Sequence, residues 1–161
     1  EGIDTSPEFW LEVEKEFITP ELDITIPFED AVPVLERLSK EYPLYLLSNN
    51  ASSVLVHEIT EKCGLTSFIK GTFVSCDIGW RKPDIRFLEA VLKETGLTAP
   101  ESVMIGDRLT QDILMANKTG MPGIFAAMTE HEDNHGADHI SYSSEIHSLS
   151  DLLEILPGIT A

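Results

Sequence analysis

Short apolar runs alternate with longer helical patterns along most of this chain, and this constrains the fold more than any single motif. The runs YPLYLL, GTFVS, SVMIG and GIFAA are apolar almost throughout rather than alternating polar with apolar. Such runs suit strands buried on both faces, as in a parallel sheet covered by helices. Between them lie helical stretches with their own stop signals. Helices are predicted from Asp30 with Val34, Leu35 and Leu38 inside, from about Ser52 to Cys63 closed by Gly64, over 85–95 closed by Gly96, and over 111–120. A polar loop at 129–138, a short strand at 139–143 and a helix at 148–156 complete the pattern. The expected fold class is therefore α/β, a Rossmann-like parallel sheet with helices on both faces.

The first thirty residues break this rhythm. Ser6 reads as an N-cap with Pro7 at the first helical position, and Phe9, Val13 and Phe17 share one face of a short helix. Residues 18–30 then alternate Leu22, Ile24, Ile26 and Phe28 as a half-buried strand would, but Pro20 and Pro27 argue for an extended linker.

A chain of 161 residues is the size of one domain. Its formal charge of −17, from 28 acidic and 11 basic residues, repels phosphate backbones and anionic lipid, which disfavours nucleic acid and membrane partners. A small anionic substrate would need local help from a metal ion or a placed lysine. Two cysteines, Cys63 and Cys76, without close spacing give no disulfide framework, and a cytoplasmic location is expected.

Three clusters could carry chemistry, and all lie beyond the carboxyl ends of expected strands, where ligands bind in open α/β sheets. Asp107 leaves one strand and Asp112 follows in the opening turn of a helix. Such a pair can offer oxygen ligands to a hard cation, although capping is the commoner role of either residue alone. Ser48, Asn49 and Asn50 end another strand and could bind phosphate through hydroxyl and backbone N–H groups, or simply cap a helix. No Gly-x-Ser-x-Gly elbow marks Ser48 as a nucleophile. Lys82 in WRKPD could put a point charge on a phosphate; alone, it reads as a surface lysine. His131, His135 and His139 are spaced by four, but Gly136 and the polar surroundings predict a mobile surface loop.

Taken in order, LLSNN, GWRKPD and MIGDRLTQDILMANKTGMPGIF resemble the second, third and fourth motifs of the haloacid dehalogenase superfamily. The resemblance covers roughly residues 30–156 and is closest to phosphoglycolate phosphatases and related small-molecule phosphatases. It implies a magnesium-dependent phosphatase of a small phosphorylated metabolite, working through an aspartyl-phosphate. By resemblance, Ser48 would hydrogen-bond phosphoryl oxygens, Asn49 would help position substrate, and Lys82 would bridge phosphate and carboxylates. Asp107 would bind Mg²⁺, with Asp112 supporting it through water or by orienting Lys82.

The family's first motif, Asp-x-Asp-x-Thr after a central strand, has no counterpart, since no Asp-x-Asp occurs in the chain. The expectation is a core domain at 29–161, missing its first central strand, preceded by the remnant of a helical cap and linker at 1–28. The missing segment would come from upstream or from another chain. Two alternatives stand beside the phosphatase: a family member without the nucleophile that binds or regulates, and a metal-independent haloacid dehalogenase.

Overall fold

The computed structural model describes residues 6–159. Helices α1 (Pro7–Ile24) and α2 (Ala31–Leu38) precede strand β1 (Leu44–Ser48). Then follow α3 (Ser53–Lys62), β2 (Ile69–Val74), α4 (Ser75–Ile78), α5 (Ile85–Thr95) and β3 (Met104–Gly106). A π turn (Leu109–Ile113), α6 (Leu114–Thr119), β4 (Gly123–Ala126), β5 (Ser144–Ile146) and α7 (Leu152–Ile159) complete the chain. The order is the alternating one read from the sequence, with the short α4 added between β2 and α5.

All strand pairs are parallel, but the strands form two sheets, β1 with β2 and β3-β4-β5. Among the described residues neither β1 nor β3 has a second strand partner. Two apolar layers join the sheets. On one, Phe73 of β2 and Met104 of β3 pack with Phe87, Leu88 and Val91 of α5 and Met115 of α6. On the other, Val34 and Leu38 of α2 meet Ile124, Ile146 and the α7 residues Leu152 and Leu156, with Leu44 of β1 against them. Helices therefore lie on both layers, as expected. Every residue of β1 remains half-buried, unusual for a strand whose neighbours on both faces are apolar clusters.

The amino-terminal region departs from expectation. Residues 18–24 are not a linker, because α1 continues through Pro20 to Ile24. An interior proline removes one helical N–H and crowds the preceding turn, a cost that contacts from outside the helix must offset. Here Ile18 is buried at 2 % exposure, and Lys62 at the end of α3 donates to the carbonyls of Leu22 and Asp23 at 2.6 and 3.0 Å. At the other end Ser52 donates to Glu14 at 2.7 Å. The supposed strand alternation buries little: Ile24 and Ile26 are 80 % and 81 % exposed.

The last strand is also displaced, from the expected 139–143 to Ser144–Ile146. Ile140 instead packs with Leu109 and Ile113, and Asn117 donates to the Ser141 carbonyl at 2.7 Å, so 139–143 is consumed by side-chain packing ahead of the strand. No helix among the described residues is long and apolar enough to cross a membrane.

Candidate functional site

The site begins with a steric requirement. Gly106 ends β3, and a Cβ there would overlap the Asp112 carboxylate. Only glycine lets the turn after β3 fold back so that Asp112 reaches under the strand end. The turn is a π turn, a helical irregularity found frequently at functional sites. Asp112 is buried at 3 % exposure, a costly place for a carboxylate without partners. Both its oxygens are occupied: Oδ1 lies 2.6 Å from Lys82 Nζ, and Oδ2 accepts from the Arg108 backbone N–H at 3.2 Å.

Lys82 arrives from the loop between α4 and α5, and the peptide bond to Pro83 is cis. Its ammonium also donates to the Leu47 carbonyl of β1 at 3.0 Å. One side chain thus spans the two sheets, touching β1 and the turn that follows β3. Asn49 holds the Lys82 backbone from both sides, accepting from its N–H at 2.9 Å and donating to its C=O at 3.0 Å. The other Asn49 N–H goes to Gln111 Oε1 at 2.9 Å.

Gln111 in turn donates to Asp133 at 3.2 Å, and the same Asp133 oxygen accepts from Thr110 at 3.1 Å and Arg108 at 3.0 Å. The contacts close into a circuit: Asp133, Gln111, Asn49, Lys82, Asp112, Arg108 and back to Asp133. Partial burial pushes the Asp133 carboxyl up, but hydrogen bonds from Thr110 and Gln111 and the Arg108 charge outweigh it and hold it below the ordinary value. Neighbouring Asn134 donates to the Asp107 carbonyl at 2.8 Å and accepts from the Leu109 N–H at 2.8 Å.

Asp107 stands apart from this circuit. Its carboxylate is 42 % exposed and pairs with His131, whose Nε2 lies 2.7 Å from Asp107 Oδ2. The expectation that His131 belongs to a free surface loop is therefore corrected: residues 131–134 are anchored on the turn after β3. His135, by contrast, is exposed and lies 3.5 Å from exposed Glu130. Ser48 ends β1 opposite Val74, one residue before Asn49.

Lys82, Asn49 and Asp112 are thus brought together, Asp107 lies beside them on its own partner, and Ser48 lies at the adjoining strand end. Gln111, Asp133 and Asn134 carry no motif signal in the sequence, and His131 shows there only the four-residue histidine spacing. A topological signal could have found them, because parallel β3 and β4 are neighbours and the loop after β4 must emerge at the same end as the loop after β3.

Asp107 fits one hard-cation ligand, a partly exposed carboxylate at a strand end. Asp112, with both oxygens engaged, fits an orienting role better than direct ligation. Among the described residues no three His, Cys, Asp or Glu side chains converge to complete such a site.

Comparison of the chain with known proteins points to one family. The haloacid dehalogenase-like hydrolase family model matches residues 2–120. The chain is 32 % identical over 133 residues to a glyceraldehyde 3-phosphate phosphatase of Methanothermobacter thermautotrophicus, covering 81 % of this chain and 58 % of that one. It is 29 % identical over 120 residues to a pyrimidine 5'-nucleotidase of Streptococcus pneumoniae, covering 74 % and 49 %. A magnesium-bound HAD-hydrolase of Bacillus subtilis superposes with a TM-score of 0.72 at 26 % identity, over 81 % of this chain and 55 % of that one. A 2-haloacid dehalogenase of Pseudomonas syringae gives 0.73 at 25 % identity, over 98 % and 65 %. The chain spans about half the length of the curated relatives it matches. By motif order, by fold and by family match, the chain belongs to the haloacid dehalogenase-like hydrolases.

Proposed function

We propose that this chain is the carboxyl-terminal part of a magnesium-dependent phosphatase acting on a small phosphate monoester through an aspartyl-phosphate. The observation that carries the reading is Lys82. An ammonium has three N–H donors. Two are committed, to Leu47 and Asp112, which leaves one for a phosphoryl oxygen. Held by a buried carboxylate and by Asn49, the ammonium is preorganised to stabilise charge on the transferring group.

Asn49 spends its amide on Lys82 and Gln111, so in this reading it positions Lys82 rather than touching substrate. Ser48, at the strand end beside it, is the residue offered to phosphoryl oxygens. Asp107 would hold magnesium, which when bound supplies the positive charge that offsets repulsion between carboxylate and phosphate. The nucleophilic aspartate and remaining ligands would come from a strand lying between β1 and β3, each of which pairs along one edge only among the described residues. Residues 1–28 are read as the end of a cap, and the exposed Ile24, Ile26 and Phe17 of that region support the reading. Relatives named for glyceraldehyde 3-phosphate and pyrimidine nucleotide phosphatase activity support a small phosphorylated substrate. By itself the chain is read as binding without turnover.

The test compares this chain with one extended upstream through an Asp-x-Asp segment, measuring phosphate released from a generic monoester with and without magnesium. The extended chain is expected to turn over only with magnesium, and its Lys82→Ala variant to lose about 100-fold or more in kcat. An extended chain that releases no phosphate overturns the proposal.

A further inference from the structure

Beside the Lys82 circuit, and opening next to Asn49, lies a cavity of about 470 Å³ lined by Asn49, Asn50, Ser75, Cys76, Trp80 and Arg81. It is an open cleft, with room for a ring-sized group.

The walls are built rather than incidental. Ser75 Oγ accepts from the Asn50 N–H at 3.1 Å and donates to the Asn50 carbonyl at 3.0 Å, locking the start of α4 to the segment after β1. Trp80 has one ring face covered by the Arg86 guanidinium, 3.3 Å from the ring centroid. Arg86 is itself held by Asp84, whose carboxyl is lowered to about 2 by that hydrogen-bonded pair. The indole is thus fixed in orientation, yet 41 % of the residue stays exposed, so its uncovered surface belongs to the face and edge turned from Arg86. Arg81 makes no ion pair among the described residues, although acidic residues outnumber basic ones by 28 to 11 in the chain. A free guanidinium and a preset indole in one cavity fit a planar ring carrying carbonyl acceptors. The ring stacks on Trp80, and its oxygens accept from Arg81.

We infer that this cavity is the leaving-group subsite and that it selects phosphate esters of a pyrimidine-type nucleoside over esters of small polyols or hydroxy acids. The inference rests on the phosphatase reading for its biological use, but binding can be tested without turnover. Trp10 and Trp80 are the two tryptophans of the chain, and Trp10 is exposed. In a Trp10→Phe background, Trp80 fluorescence reports on the cavity directly. Uridine 5'-monophosphate and uridine should each give saturable quenching, and Arg81→Ala should weaken both about tenfold with an unchanged circular dichroism spectrum. Glyceraldehyde 3-phosphate and 2-phosphoglycolate should leave the indole signal flat.

A flat titration with uridine and its monophosphate overturns the subsite, as does equal affinity in the Arg81→Ala variant. Nucleotide binding to this chain, with no phosphate released by the extended one, upholds the subsite and overturns the phosphatase reading. Release of phosphate from small esters, with no nucleoside binding, does the reverse.

Discussion

Asp112 and Lys82 show how one residue's burial dictates another's identity. Their side chains are 5 % and 13 % exposed, so each charge depends on the other. Removing one partner of a buried pair strands the remaining charge, at about 3–5 kcal/mol, whereas replacing both with apolar groups costs much less. Asp112→Ala is therefore expected to destabilise the chain by about that amount in urea denaturation, and Lys82→Met with Asp112→Leu by clearly less. A loss of under about 1 kcal/mol for the single variant would show the pair to be peripheral. The pairing was implied only by the family resemblance, in which Asp112 orients Lys82. Lys82 and Asp112 were both singled out, but each alone read as well as a surface lysine and a helix cap. Gly106 gives the missing reason, since its lack of a side chain is what admits the carboxylate.

Among the elements, β1 pairs along one edge only among the described residues. In a parallel strand, alternate backbone groups point to opposite edges. In β1 half of them face β2 and half face away from it. Strand β4 has partners on both sides. Hydrogen exchange should accordingly alternate between slow and fast along β1 and stay uniformly slow along β4. In a chain extended upstream by a complementing strand, the fast set of β1 should become slow. Uniformly slow exchange along β1 in this chain would mean that its free edge is already paired. The fate of α1 carries a related lesson. Pro20 argued for a linker, and contacts from α3 overrode it, through Lys62 on the last carbonyls and Ser52 on Glu14. Local propensity cannot see a cap supplied from forty residues away.

For the molecule as a whole, the net charge of −17 is a standing repulsion, only part of which is offset by the few cations in pairs. Screening over about 10 Å at 0.1 M salt should weaken it. The thermal midpoint is expected to rise as sodium chloride increases from low concentration to about 0.2 M, read by circular dichroism. A falling midpoint would mean that the ion pairs of the site outweigh the general repulsion.

The alternating fold, the helix stops such as Gly96 with its φ of 73°, and the placing of Ser48 and Asp107 at strand ends followed from the sequence, because periodicity and turn chemistry are local. The order of three motifs also pointed to the family. What only the tertiary structure decided is which groups meet: the circuit through Asp133 and the capture of Asp107 by His131. Those contacts join segments far apart in the chain, and hydrogen bonds between them are set by packing geometry that no local pattern encodes.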